Sequence, residues 1–348
     1  MAGKGLGWAL AIVGIVLVVA GLVVMLAIVP GMKKMPADTD TTRDYEGTMA
    51  VMLNPADFTF KKDLPITLQR HFFVVATDGD VALVKEERAM LSGGQPLQQV
   101  VSHYAVDRTT MLATDKFPEE WATNEGFLPR QGVVLSWPMD TEQKDYTGWS
   151  DDYMSTVPLT FVEEGTHDRS GMTLYKFTSA SGPQPINEQI VQGMGLPAEL
   201  PKAQLAGLMA TLDLGAMAET LPPLLEQLPD PVPLAYYYDY EGTYWIDPVT
   251  GIIVDTEKRE TRTVGLSPDL LEGTPLAVLP EEQQAALRVA IMDYSYTATD
   301  ASVEAAKADA EDAGGKLQLY GTTLPIIGLV AGAVLLALGF VAMRRKTA

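Results

Sequence analysis

Two uninterrupted apolar blocks, one near each end, constrain this chain more than anything between them. Residues 6–29 run for 24 positions without a charged side chain, and residues 324–343 add another 20. At 1.5 Å per residue these make helices of about 36 and 30 Å, each enough to cross a hydrocarbon core of about 30 Å. Both are expected to span a membrane. A cleaved signal peptide has a shorter apolar region of about 7–15 residues and a small-residue cleavage site, and Val29-Pro30-Gly31-Met32 is not such a site. Lys4 precedes the first block and Arg344, Arg345 and Lys346 follow the second, so the positive-inside rule places both termini in the cytoplasm. The expected division is a cytoplasmic N-terminus (1–5), a first span (6–29), an extracytoplasmic region (30–323), a second span (324–343) and a cytoplasmic tail (344–348). Trp8, Lys33, Lys34 and Tyr320 suit the membrane interfaces, with the tail cations completing that set. Gly328 and Gly332 form a small-residue face for helix packing, on the first span or on another copy of the chain.

Charge separates along the same boundary. The chain carries 45 acids against 25 bases, net −20; with the terminal cations set aside, the outer region holds all 45 acids against 21 bases. Nucleic acid is excluded as a partner, since binding it needs clustered Lys and Arg. There is no cysteine, which removes disulfides, thiolate metal sites and cysteine nucleophiles.

Turn signals separate short β-prone runs through most of the outer region. The clearest is 70–76, then Thr77-Asp78-Gly79-Asp80, then 81–85, where Asp-Gly favours a type I′ hairpin turn. A second hairpin is expected around Asp247-Pro248-Val249-Thr250-Gly251, and more strands near 99–106, 133–137, 158–162, 172–177 and 287–296. Residues of about 186–228 differ, being rich in Ala, Leu, Met and Gln and cut by prolines. They read as a helical insertion whose apolar face, formed by Met194, Leu205, Leu208, Met209, Leu212 and Met217, packs on the sheet or takes an apolar ligand. A membrane-proximal helix is expected over about 301–313. The expected fold class is therefore α+β: a β-rich extracytoplasmic domain with a helical insertion, flanked by one N-terminal and one C-terminal transmembrane helix. Asp44-Tyr45-Glu46-Gly47-Thr48 recurs as Asp239-Tyr240-Glu241-Gly242-Thr243, which suggests a duplicated unit with its copies paired.

Chemistry-bearing motifs are scarce. His71, His103 and His167 have no ligand spacing, and no nucleophile elbow, phosphate loop or dinucleotide fingerprint occurs. Asp38/Asp40, Asp78/Asp80 and Asp151/Asp152 lack the calcium-loop pattern and read as solvated turns. No catalytic residue, metal site or cofactor is assigned. Tyr236, Tyr237, Tyr238 and Tyr240 read as half-buried strand.

The blocks Asp38-Thr39-Asp40-Thr41-Thr42, Trp137-Pro138 with Asp145-Tyr146-Thr147-Gly148-Trp149, Gly171-Met172-Thr173-Leu174-Tyr175-Lys176-Phe177-Thr178, and Gly242-Thr243-Tyr244-Trp245-Ile246-Asp247-Pro248-Val249-Thr250-Gly251, in this order between the two spans, resemble the actinobacterial PorA-like family of membrane proteins. The resemblance implies an oligomeric cell-envelope channel. In layout the chain is also similar to scavenger-receptor class B proteins. Uniformly apolar helices do not make a strand-lined porin, so the residues favour a non-enzymatic envelope protein that binds or passes an apolar component or organises a surface complex. An envelope channel is the alternative, and an envelope hydrolase the second. Expected partners are membrane lipids, an apolar envelope ligand or protein partner, and further copies of the chain.

Overall fold

The computed structural model describes residues 2–54, 59–209, 226–272 and 287–344. Helix α1 (Ala2–Val23) continues through a π-helical turn (Val24–Ile28) and one last helical turn (Val29–Met32). Thirteen strands follow: β1 (Asp40–Asn54), β2 (Thr59–Asp78), β3 (Val81–Ser92), β4 (Gln95–Asp107), β5 (Leu112–Ala113), β6 (Gly132–Val133), β7 (Tyr146–Ser150), β8 (Ser155–Thr166), β9 (Thr173–Pro185), β10 (Glu199–Leu200), β11 (Val232–Ile246), β12 (Ile253–Leu266) and β13 (Val289–Ala298). Their pairing order is β10-β11-β12-β13-β1-β2-β3-β4-β5-β6-β7-β8-β9, and β9 pairs back onto β11. Among the described residues, β10 only extends β11, so the other strands close into a twelve-stranded barrel.

This corrects the expected α+β class. The barrel is the main body of the chain, with a helix at each end, and no sheet domain stands apart from it. Among its described residues the expected insertion holds two short helices, α2 (Glu188–Gly193) and α3 (Lys202–Met209), between β9 and β11. Closure depends on pairs such as Tyr244 with Phe177, far apart in sequence, which no local pattern announces. Bulges interrupt the ladders at Met49/Val51, Val74/Ala76, Met90/Leu91, Phe161/Glu163 and Trp245/Ile246. Such extra residues bend a strand and raise its twist, which a small closed barrel needs. The expected hairpin between β2 and β3 forms, with Gly79 at φ +57°. The two Asp-Tyr-Glu-Gly-Thr copies lie in β1 and β11 and do not pair, because β12 and β13 stand between them.

Outward positions of the barrel are mostly polar. Thr42, Asp44 and Glu46 of β1 lie opposite His71, Gln69 and Thr67 of β2, and Glu87 and Lys85 of β3 face His71 and Phe73. Among the described residues, large exposed apolar side chains outside the helical ends are limited to Val75, Val101, Val162 and Val249.

The end of the barrel nearest α1 is closed. Trp137, buried with Val133, Leu159, Phe177 and Ile246, belongs to a segment that crosses this end. Its N–H donates to the Gly251 carbonyl (2.9 Å), and Asp140 and Thr141 donate to Val249 and Pro248 (3.0 and 2.7 Å). Gly251 has φ +73°, and a Cβ there would fall 2.1 Å from the Trp137 oxygen; only glycine fits. Residues 134–137, expected as strand, form this plug.

After α4 (Pro268–Glu272) and β13, helix α5 (Asp300–Gln318) starts with Thr299 capping the Ser302 N–H. It packs Val303 against Leu174, Val254 and Ala298 of the barrel. A π-helical turn (Leu319–Thr323) joins it to α6 (Leu324–Arg344), giving one helix of 45 residues from Asp300 to Arg344. The expected helix end near 313 is overrun, because Gly314 rests on Val249 and Thr250 and the next turns lead straight into the apolar block.

Helices α1 and α6 pack against each other at very short range. A Cβ on Gly7, Gly14 or Gly332 would lie 2.7 Å from the nearest partner atom, and one on Gly339 would lie 2.7 Å from the Gly7 oxygen. The Gly7-Gly14-Gly21 and Gly332-Gly339 spacings of seven put these positions on one face of each helix. Gly328 meets the Leu17 carbonyl of α1; Gly328 and Gly332 thus face α1 within one chain.

Candidate functional site

Inside the barrel lies a cavity of about 1020 Å³. Its wall is built from alternate residues of the long strands, since successive strand side chains point to opposite faces. On β3 the inward set is Val84, Glu86, Arg88 and Met90; opposite them on β4 stand Tyr104, Ser102, Val100 and Gln98. Buried charges in such a place must be paired and hydrogen-bonded, and two clusters meet that demand.

Glu86 centres the first. Its carboxylate takes Arg70 Nε at 2.9 Å, Tyr104 Oη at 2.6 Å and Arg130 Nη1 at 3.3 Å. The Arg130 guanidinium lies 4.0 Å over the Tyr104 ring and also donates to Ser102 and Asp151. Arg88 Nη2 reaches the same Asp151 oxygen at 2.9 Å. Burial alone would raise the Glu86 carboxyl, but Arg70, Arg88 and Arg130 outweigh it and hold the group far below the usual carboxylate range. Burial and the Glu86 charge push the Tyr104 hydroxyl up, keeping it a neutral donor.

Glu260 on β12 centres the second cluster. It accepts from Tyr238 and Tyr294 at 3.0 and 2.8 Å, from Tyr296 at 3.2 Å, and pairs with Lys258 at 2.9 Å. Arg262 grips Asp152 through two bonds of 2.9 Å and lies 4.7 Å over the Tyr238 ring. Glu260 is also held below its usual range: burial opposes ionisation, and Lys258 and Arg262 overcome it. Asp151 and Asp152, in the turn between β7 and β8, thus tie one cluster to the other. They were read as solvated turn residues and are instead partners of buried arginines.

The clusters share a pattern that was visible in the sequence. Glu86-Glu87-Arg88 and Glu260-Thr261-Arg262 both place acid and base two apart in a strand, hence on one face. The aromatic neighbours of each likewise alternate. Charged residues fill an inward strand face that is usually apolar, which hides the site from the residue pattern alone.

Towards the end remote from α1 the lining turns apolar, through Met52, Leu53, Leu97, Ile190, Met194 and Leu196. Met194 is therefore part of the wall, half-buried. Leu205 and Met209 are instead buried in the core beside it with Leu200, Leu228 and Val232. Leu212 and Met217 lie outside the described residues, as does the Leu208 side chain. The tyrosines expected as half-buried are buried outright: Tyr236, Tyr238 and Tyr240 join that core, and Tyr237 lies under the Arg288 guanidinium at 3.9 Å.

At the other end, Lys33 pairs with Asp140 and Lys34 with Asp80 at 2.6 Å, so both fasten α1 to the barrel. Trp8 is exposed on α1, Tyr320 is partly exposed in the π-helical turn, and Arg344 stacks 4.1 Å from the Phe340 ring. Arg345 and Lys346 lie outside the described residues.

One trio has the composition of a hydrolytic triad. His167 contacts Ser170 Oγ through Nδ1 (3.0 Å) and Asp255 through Nε2 (3.2 Å). Ser170 is 4% exposed, its Oγ also accepts from the Met172 N–H, and it does not line the cavity. No substrate carbonyl can approach it. Asp255 is bound twice by Arg169, which reaches on to Asp300 and the Ala298 carbonyl; the trio fixes the β8–β9 turn to the start of α5.

These groups set the acid sensitivity of the fold. Burial lowers the His167 pKa below its usual 6.5. Unfolding therefore takes up a proton as pH falls below about 6.5, and stability drops. Glu86 and Glu260, depressed from about 4.5, give stability that is present above about pH 4.5 and lost as pH falls further. Melting temperatures of the full chain are expected to fall in two stages on acidification, and H167Q to remove the first stage only. A flat profile between pH 7 and 4 contradicts these assignments.

A family profile described as Porin PorA matches residues 6–341, from the first apolar block to the second. The protein named Porin PorA of Corynebacterium resistens is 25% identical over 249 residues, which cover 64% of this chain and 58% of that relative. The whole barrel and most of both terminal helices fall inside the matched range, and the chain belongs to the Porin PorA family.

Proposed function

We propose that this chain is a non-enzymatic, channel-like protein of the cell envelope, in which the barrel lumen receives solutes and the α1/α6 helix pair crosses the membrane. The observation that carries this reading is the lumen: a chamber of about 1020 Å³ with charged groups on its wall. Membership of the PorA family supports the envelope and the channel-like character. Two features favour the helices as the lipid-facing part. The exposed apolar side chains concentrate on α1 and α6, whereas a barrel that crosses with its strands needs an outward apolar band. In this topology both termini are cytoplasmic, by the positive-inside rule. The lining carries Arg70, Arg88, Arg130, Lys258 and Arg262 against Glu86, Asp151, Asp152 and Glu260. The acidic exterior is not continued inside, so passage is expected to discriminate only weakly between small cations and anions.

A second reading, carriage of an apolar envelope component, is favoured by the apolar wall around Leu53, Leu97 and Met194 and by the closed end at Trp137.

Because the chain has no cysteine, single cysteines report unambiguously. V162C, exposed on β8 and absent from the lumen lining, is expected to react with a membrane-impermeant maleimide in intact cells, and V100C, inward on β4, to react with small maleimides but not with polymer-linked ones. Protection of V162C overturns the two-helix topology. A V100C that small reagents cannot reach overturns the lumen as the site.

A further inference from the structure

The lumen wall has an imbalance. Among the described residues, five cationic side chains face four carboxylates there, in a chain whose net charge is −20. Two buried donors of the same wall, Arg130 Nε and Trp137 Nε1, have no acceptor; the third unpartnered atom among the described residues, Thr263 Oγ1, is not in the lining. Unmatched buried donors are uncommon and mark places where a further acceptor belongs. Arg88 points inward beside Glu86 yet leaves 44% of its side chain open, and the opening is the cavity it lines. The charged layer is therefore short of negative charge and acceptors.

The apolar layer lies beyond it along the same walls. Val100 of β4 stands opposite Arg88, and Leu97, at the near edge of the apolar layer, lies three residues further along β4, about 10 Å along the strand. Strand tilts of about 35–45° shorten this to roughly 7–8 Å along the barrel axis. Half a bilayer core is about 15 Å thick, so an acyl chain of membrane length can reach from one layer to the other.

We propose that the lumen binds one single-chain anionic amphiphile, with its carboxylate or phosphate at Arg88 and Arg130 and its acyl chain along Leu53, Leu97, Ile190, Met194 and Leu196. This rests on the lumen being the functional chamber and names its occupant. The anionic head supplies the acceptor and charge the wall lacks. The acyl chain gains by leaving water for the apolar wall.

The test uses the full chain in lipid nanodiscs, with native mass spectrometry and displacement of a fluorescent acyl probe. Palmitate and 1-palmitoyl lysophosphatidate supply the two anionic heads, and their ratio says which is preferred. Hexadecanol and hexadecyltrimethylammonium supply neutral and cationic heads on equal chains. One anionic ligand per chain is expected, with hexadecanol weaker by about tenfold or more, as for loss of a charge-assisted hydrogen bond, and no cationic binding. R88Q is expected to weaken both anions about tenfold and leave hexadecanol unchanged; V100W, which fills the lumen, is expected to abolish all binding. Equal affinity for palmitate and hexadecanol, or binding unaffected by both variants, overturns the proposal. V100C labelling separates the two failures: a reachable cysteine with no anion binding removes the amphiphile and keeps the chamber, while an unreachable one removes both. If R88Q fails to fold, R88K retaining anion preference and V100W losing it decide the matter.

Discussion

Replacing Glu86 by alanine is expected to destabilise the folded barrel by about 3–5 kcal/mol, the range for breaking a buried ion pair from one side. The carboxylate is 3% exposed and is the shared acceptor for Arg70, Arg130 and Tyr104. Its removal leaves guanidiniums facing one another in a poorly hydrated layer, with Asp151 alone between Arg88 and Arg130. Urea unfolding followed by tryptophan fluorescence measures the loss. Charge neutralisation by E86Q retains volume and some hydrogen bonding and is expected to cost less than alanine, though still more than about 1 kcal/mol. A loss below that in both variants means the arginines find other partners, and Glu86 is not the centre of the cluster.

Trp137→Ala is expected to cost about 3–5 kcal/mol as well, for a different reason. The ring is 2% exposed and packs against Phe177 and Tyr244 at centroid distances of 5.2 and 5.6 Å. Truncation removes that packing and leaves a cavity that joins the lumen. Beyond stability, the variant is expected to open the closed end, so that V100C in a W137A background reacts with larger maleimides than V100C alone. Phenylalanine at 137 is expected to recover most of the stability and keep the exclusion limit. If W137A is destabilised while the limit stays put, the plug is structural and another segment closes the barrel.

The helices and several strands could be read from residue order, because their signals are local. The apolar blocks became α1 and α6, Asp78-Gly79 became a hairpin turn, and Ala-rich sequence after Thr299 became α5. The barrel could not, since its closure is a pairing between β9 and β11 across an excursion of its own. The site was hidden for a related reason. Inward Glu86, Arg88, Glu260 and Arg262 alternate with outward Glu87 and Thr261, so both faces look polar and the strands look like surface. Only their partners, contributed by Arg130, Asp151 and Asp152 from irregular segments, distinguish a buried network from a solvated one. The glycines of α1 were overlooked beside Gly328 and Gly332, although their sevenfold spacing is plain once the two helices are known to touch.

The helix from Asp300 to Arg344 has no break. At 1.5 Å per residue it is a rod of about 68 Å, the upper part lying against the barrel and the lower part against α1. A flexible tether would let the barrel tumble and approach the bilayer at any angle. A rod braced by Lys33, Lys34 and the α1 glycines fixes the height and heading of the lumen mouth instead. In the proposed two-helix topology, cargo then comes to that mouth across a set gap, so the span of the envelope, rather than diffusion of the barrel, determines which partner surface it serves.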